Sequence, residues 1–356
     1  MRSIILFVSV CLTLQLHATV HTVSNNPINI AQFNTIQAAV DAAVNGDTIL
    51  VHGSPNNYTA FTITNKRLAI IGPGYSPDKN LSLRATVPGF TVTGAGSSGC
   101  EFQGLYVTST VTINSNKPDN ITFRRNWFET MSFSINQSSI TYTGYLFESN
   151  YFQQSQLNGT SSTTYNEFIF RNNLFYDNGG TFHFNSFTNT NGFVLDHNVF
   201  YAGAGATVRN IFVNNCRFFS IRNNIFVKRN AANALSNSEF SNNITFNSEN
   251  NTPWASNGNT DVGGNVANQN PQMVAQTAVD AGTIDPLLNF SIVAGPAKGG
   301  GTDGRDMGLR YDPSGPLNWA NGRNSRLPRI YSMNLASIDI QAGGNINVQI
   351  EARRSN

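Results

Sequence analysis

The sequence predicts an all-β fold: a parallel β-helix, in which one short coil of chain is repeated and stacked. Three observations carry this expectation. One motif recurs with little change, as "ITFRRNWFE" (121–129), "YLFESNYFQ" (145–153), "FIFRNNLFYD" (168–177), "FVLDHNVFYA" (193–202), "FSIRNNIFVK" (219–228) and a fading "SEFSNNITFN" (238–247). Taking Asn126, Asn150, Asn173, Asn198, Asn224 and Asn243 as position 0 of each copy, the intervals are 24, 23, 25, 26 and 19 residues, and a period near this length marks a solenoid. Around that Asn run two apolar columns: Phe123, Phe147, Phe170, Leu195, Ile221 and Phe240 at position −3, and Phe128, Phe152, Phe175, Phe200 and Phe226 at position +2. Alternation of period two before the Asn, with aromatic and β-branched neighbours, reads as strand.

Each coil then holds three short strands joined by bends, and coils stack at the interstrand spacing of about 4.8 Å, so that like residues lie above one another. Asn tolerates the left-handed backbone of a sharp bend, and its amide can bond to the same amide one coil on. The expectation is an Asn ladder on the outside and a Phe stack inside.

The elements follow in chain order. "MRSIILFVSVCLTLQLHA" places Arg2 before an apolar run from Ile4 to Leu16 and ends in small Ala18, which reads as a signal peptide over 1–18. The run is shorter than the ~20 apolar residues a spanning helix needs, so no transmembrane segment is expected. In "FNTIQAAVDAAVNGDTILV", Ile36, Ala39, Val40, Ala43 and Val44 follow helical spacing; Asn34 as cap with Gln37 three places on, and Gly46 at the end, predict a capping helix over about 34–45. A solenoid needs such a cap to cover its terminal apolar stack. "CEFQGLYV" (100–107) is an early coil with Gly104 at the bend. The β-helix domain is expected over 19–312. Over 313–356 the repeat is gone, and a linker, "NWANGRNSRLP", precedes a two-stranded element made of "IYSMNLASIDI" and "NINVQIEA".

Composition narrows the partners. The formal net charge is +2, charged residues are 12% of the chain, and no dense Lys/Arg block occurs, so nucleic acid is not expected. Beyond the leader only Cys100 and Cys216 remain, too few for a disulfide framework. They lie five coils apart, so they are expected to stay unpaired.

"TIQAAVDAAVNGDTILVHGSPNNY", "LAIIGPGY" and "GPAKGGGTDGRDMGL" give the chain a resemblance to secreted right-handed parallel β-helix proteins of the pectin-lyase-like superfamily, particularly those of Bacteroidota, over most of residues 20–312. The resemblance implies right-handed winding and a secreted or cell-surface location. It leaves activity open, because the superfamily holds lyases, hydrolases, esterases and adhesins. Its enzymes gather carboxylates and basic residues on one outward face. Lyases remove a proton beside a uronate carboxylate and need a base with Ca²⁺ or Arg, and hydrolases need two carboxylates at a set separation.

Position −2 is the outward place to look, and it carries Arg124, Glu148, Arg171, Asp196 and Arg222. The signs alternate. Opposite charges on neighbouring strands stabilise each other, whereas a Ca²⁺ site wants acids together, so a self-neutralising ladder is favoured over a catalytic row. The same five residues are the candidates for glycan binding. Catalytic candidates are Arg171, Asp196, His197 and Arg222, "VLDHN" (194–198) being similar to the Asp-His stretch of pectate lyases. The lyase-type Arg-x-Pro-x-x-Arg is missing, as are polygalacturonase-type paired aspartates, Gly-His-Gly and Arg-Ile-Lys. No metal site is expected, since His183 has no second His at ligand spacing and Asp303 and Asp306 lack calcium-loop spacing; Ca²⁺ enters only under the lyase alternative. His52 reads as a loop residue. Compact coils leave little material for a deep cleft, and "YFQQ" (151–154) and "LFYD" (174–177) are expected to offer sugars aromatic groups on a shallow face. The favoured function is a monomeric β-helix protein that binds polysaccharide or serves structurally. The alternatives are a polysaccharide lyase or glycoside hydrolase acting on acidic glycans, and a surface adhesin.

Overall fold

The computed structural model describes residues 18–74, 83–114, 116–178, 180, 182–206, 210–312, 317–319, 328–335 and 348–354. The expected signal peptide lies outside them save for its last residue, as does most of the expected linker. The chain winds through about 10 turns of a parallel β-solenoid, whose three long sheets have twelve, eight and seven strands among the described residues. The first sheet holds the residues before each Asn, as in Thr122–Arg124, Thr164–Arg171 and Phe219–Arg222. The second holds those after it, as in Trp127–Glu129, Leu174–Asp177 and Ile225–Val227. The third completes each coil, as in Ser132–Ser134 and Gln156–Asn158.

Register is constant along the repeat. Phe123, Phe147, Phe170, Leu195, Ile221 and Phe240 pair in sequence across the first sheet, and Phe128, Phe152, Phe175, Phe200 and Phe226 across the second. All are fully buried. Phe147 and Phe170 stack at 4.3 Å between centroids, 4° from parallel, and Phe175 and Phe200 at 4.4 Å and 5°. Phe175→Ala is expected to cost about 3–5 kcal/mol, the range for a buried aromatic, read as a lowered urea midpoint. An unchanged midpoint would deny the burial.

The asparagines do form one ladder, but inside rather than outside: Asn126, Asn150, Asn173, Asn198, Asn224 and Asn243 are all fully buried. Asn173 shows why this is tolerated. Its Oδ1 accepts from the backbone N–H of Asn150 (2.8 Å) and from Asn150 Nδ2 (3.1 Å), while its Nδ2 donates to the Phe147 carbonyl (2.9 Å) and to Asn198 Oδ1 (3.0 Å). Every amide hydrogen and both lone pairs are used, so burial leaves nothing unsatisfied. The ladder runs one coil further than the motif, to Asn265, whose Oδ1 accepts from Asn243 Nδ2 at 3.0 Å.

The left-handed residue is also not the ladder Asn but the one before it. Arg125, Ser149, Asn172, His197, Asn223 and Asn242 have φ of 51°, 55°, 57°, 53°, 59° and 52°, and Gly104, with φ 69°, holds the same place a coil earlier. The division of labour is physical: a bend needs positive φ at one residue, and the amide that ties coils together sits at the next.

At the N-terminal end a helix spans Ile36–Ala42, with Ile36, Ala39 and Val40 buried. It is shorter than expected. Thr35, not Asn34, is the N-cap, its Oγ1 accepting from Ala38 N at 3.2 Å. Gln37 makes no capping box; its Oε1 accepts from Thr62 N at 2.8 Å, tying the helix to the edge strand Phe61–Thr64 of the third sheet. The helix ends at Ala42, before Gly46.

The C-terminal part holds what the repeat did not announce. After the last coil strand, Thr260–Gly263, the chain turns back along the outer face of the second sheet. Tyr151, Leu174, Val199, Ile225 and Ile244 at position +1, with Tyr176, Tyr201 and Val227 at +3, form a second apolar core with Met273, Phe290, Ile292, Met307, Leu309 and Trp319 of the returning segment. Tyr176 and Tyr201 hydroxyls donate to the carbonyls of Gly282 (3.2 Å) and Thr283 (2.9 Å). This corrects the expected sugar-facing role of "LFYD" and of the two rings of "YFQQ": Tyr151, Phe152, Leu174, Phe175, Tyr176 and Asp177 are buried. Beyond Trp319, strands Pro328–Leu335 and Val348–Arg354 form an antiparallel pair.

Cys100 and Cys216 are buried and unpaired, and burial pushes their thiols up to about 11 and about 12, so neither is a nucleophile at neutral pH. One ionic group is fully interior. Asp177 and Arg229, both without exposed surface, pair at 2.7 Å, and His183 lies nearby, its Nδ1 donating to the Ser155 carbonyl at 2.9 Å and its Nε2 buried without a partner. Burial, then the Arg229 charge, holds the imidazole down at about 3. An unfolded His takes its proton near pH ~6.5, so as pH falls from there toward 3 the unfolded chain binds a proton that the folded chain does not, and stability falls. The melting temperature is expected to drop between pH 7 and 4, and His183→Asn to flatten that drop; the same slope in the variant would assign it elsewhere.

Candidate functional site

The five candidates at position −2 stand in one register on the outer face of the first sheet, Arg124 beside Glu148, then Arg171, Asp196 and Arg222. They satisfy one another. Glu148 is bridged by Arg124 Nε at 2.9 Å and by Arg171 at 2.5 Å, Arg124 also reaches Glu101 at 3.3 Å, and Arg222 meets Asp196 at 3.2 Å. With Glu101, which stands at position −4 one coil earlier, three arginines face three carboxylates, so the group has no formal charge. At partial exposure each pair contributes about 0–1 kcal/mol.

The row gives way at its corner to a denser group. His197, one of the left-handed residues, is buried beneath the returning segment, with Nδ1 3.2 Å from the Gly308 carbonyl. A carbonyl only accepts, so Nδ1 carries the hydrogen and the Nε2 lone pair faces Asp303 at 3.5 Å and Asp196 at 3.9 Å. Burial lowers the imidazole pKa against the pull of both carboxylates, and the Arg310 charge adds to the lowering. Asp303 is held below its ordinary range: burial alone would raise it, but the Arg305 N–H and the charges of His197 and Arg310 prevail. Arg310 pairs with Asp303 at 2.6 Å and with Asp312.

Neighbouring corner residues hold the same segment. Asn172 Oδ1 accepts from Arg310 N at 2.6 Å, Asn223 Oδ1 from Thr302 N at 2.8 Å, and Asn242 Nδ2 donates to the Gly300 carbonyl at 2.8 Å. Asn223 Nδ2 also donates to Asp196 at 2.8 Å. The structure therefore brings Asp196 and His197 together with Asp303, but as a latch. A general base needs an accessible lone pair within reach of a substrate proton, and His197 is 3% exposed.

The other singled-out residues have local partners. His52 lies in a loop, its carbonyl accepting from the Tyr58 hydroxyl at 2.8 Å. Asp306 accepts from Lys298 Nζ and Gly299 N, both at 2.9 Å. Among the described residues no cluster of three or more His, Cys, Asp or Glu side chains is placed to hold a metal, and no helix is long and apolar enough to cross a membrane.

Sequence reasoning passed over one surface group, on the outer face of the second sheet at the margin of the second core, against which Trp127 packs. Tyr106 and Trp127 stand at position +1 of successive coils, half-buried, with ring centroids 4.7 Å apart. Arg84 lies across both, its guanidinium carbon 5.2 Å from the Tyr106 ring and 4.5 Å from that of Trp127. The signal was present: position +1 is aromatic in three consecutive coils, Tyr106, Trp127 and Tyr151, then aliphatic from Leu174 on. Compared with known proteins, the chain matches no family model, no curated protein and no solved structure.

Proposed function

We propose that the chain is a secreted or surface-attached β-solenoid, of the pectin-lyase-like kind, that binds polysaccharide without cleaving it. The observation that supports this reading best is that each candidate catalytic side chain is already engaged in a structural contact: Arg171 with Glu148, Arg222 with Asp196, His197 under Gly308. A binding role asks less of the surface. Coils in constant register repeat the same groups at each interstrand step, and such an extended periodic face suits a periodic polymer.

The lyase and hydrolase alternatives require the row or the corner to open, and the adhesin alternative replaces the polymer with a protein surface. Pectate, alginate and glycosaminoglycans, with and without Ca²⁺, are expected to show neither unsaturated products in the ultraviolet nor new reducing ends. Sustained product formation that disappears in Asp196→Asn or Arg171→Gln, with the fold intact, would replace this reading by the enzymatic one. Retention on immobilised polysaccharides supports binding, and retention on none of a broad panel counts against it.

A further inference from the structure

The partly covered stretch of the second sheet carries more than packing requires. Thr86, Tyr106, Trp127 and Tyr151 follow one another in register along position +1. The returning segment buries Tyr151 completely but leaves Tyr106 and Trp127 half-exposed. Beside the rings, the Tyr106 hydroxyl donates to Glu129 Oε2, and Gln153 Nε2 donates to Glu129 Oε1 at 3.0 Å.

Two polar atoms of this group are buried with no hydrogen-bond partner: Trp127 Nε1 and Gln153 Oε1. Gln153 is 7% exposed. Single unpaired atoms also occur in the interior, as at His183 Nε2, but here a donor and an acceptor lie together beside two partly exposed rings, and buried polar atoms are almost always satisfied. The ladder asparagines, one bend away, are satisfied at every atom.

We propose that Tyr106, Trp127, Arg84, Glu129 and Gln153 form a subsite for one ring of a polysaccharide built from uncharged pyranoses; this rests on the polysaccharide-binding reading above and names where and what it binds. The C–H face of a sugar ring stacks on the aromatic pair in the place the Arg84 guanidinium holds in the free protein. Ring hydroxyls then supply what is missing, an acceptor for Trp127 N–H and a donor to Gln153 Oε1, and Glu129 accepts from a further hydroxyl. Arg84 and Glu129 are one positive and one negative group, so the subsite offers no net attraction to a polyanion.

Tryptophan fluorescence reads this site directly. The chain has three tryptophans, and Trp254 and Trp319 are 7% and 3% exposed, so iodide quenching reports chiefly Trp127. The test titrates the intact protein with neutral gluco-, manno- and xylo-hexasaccharides and with hexagalacturonate. At least one neutral oligomer is expected to shift the emission and protect against iodide. By calorimetry its affinity is expected to fall about tenfold or more in Trp127→Ala, and clearly less in Trp127→Phe, which keeps a ring. Gln153→Leu, of similar volume, is expected to weaken binding with Trp127 emission in the free protein unchanged. Matching melting curves exclude loss of fold, and Trp127→Phe serves alone if the alanine variant unfolds, with a smaller loss expected.

Binding of neutral or acidic oligomers that does not protect Trp127 and persists in both Trp127 variants overturns the subsite while leaving the polysaccharide reading standing. Binding confined to hexagalacturonate and lost in Arg171→Gln or Arg222→Gln moves the contact to the charged row and likewise overturns it. No binding to any oligomer or polymer sinks both.

Discussion

Asn173→Ala is expected to be the most damaging single substitution in the solenoid, costing about 4 kcal/mol or more. The change removes four hydrogen bonds at once, leaving buried and unpaired the backbone N–H and one amide hydrogen of Asn150 and taking a donor each from the Phe147 carbonyl and from Asn198 Oδ1, which keeps only the backbone N–H of residue 173. Each such orphan costs about 1–3 kcal/mol; water entering the vacated space offsets part of the sum. Against a typical total of about 5–15 kcal/mol, the loss approaches the whole stability of a marginal protein. Asn173→Leu is expected to be no milder, since volume is not what is missing, whereas at Phe175 leucine should recover much of what alanine loses. Urea unfolding of the four variants separates the two kinds of interior position. A mild Asn173→Leu would show that the ladder is packing rather than hydrogen bonding.

The second large effect is expected at the interior ion pair. Arg229→Met leaves the Asp177 carboxylate without its partner at 2.7 Å in a site with no exposed surface, and breaking a buried pair on one side costs about 3–5 kcal/mol. The double variant Asp177→Leu/Arg229→Met removes the stranded charge and is expected to be more stable than either single one. Arg229 also helps to hold down the His183 pKa, so its removal should bring that pKa closer to the unfolded value and shorten the fall in stability on acidification. If the double variant is as unstable as the sum of the singles, the pair is not acting as a unit.

Much of the coil could be read directly because the same residue types recur at the same places. The phenylalanines at −3 and +2 and the alternating charges at −2 needed only the period and the alternation of a strand. The asparagines were found but placed on the wrong side of the wall. A polar residue at a bend is ordinarily solvated, and only the identity of its neighbours, each coil supplying the acceptor for the next, makes burial of an amide tolerable. The left-handed place was missed by one residue for a related reason: Arg125 and Ser149 are not residues that advertise positive φ, and the bend's geometry is set by bonds such as Ser149 N to the Arg171 carbonyl at 3.1 Å.

The returning segment was the larger omission, and it decides the candidate site. Its clue lay in strands such as "LFYD" and "VFYA", whose side chains are apolar on both faces, the pattern of a sheet covered twice. "WFE", with Glu129 beside its aromatics, marks where the cover thins. Asp196 and His197 took on their structural role only once Asp303 and Arg310 arrived from a hundred residues downstream, a meeting that no local motif encodes.

The covered second sheet has a consequence for the order in which the chain is made. The early coils, up to Trp127, need nothing from the far end and can pack as they emerge. From Tyr151 onward each new coil adds apolar side chains to an outer wall that stays wet until the stretch ending at Trp319 has been synthesised and laid over it. For that interval the growing protein is a half-finished cylinder with one greasy flank, open to its neighbours. A nick or a premature stop between the last coil and Trp319 would leave it in that state permanently, with every coil wound correctly and the surface still wrong.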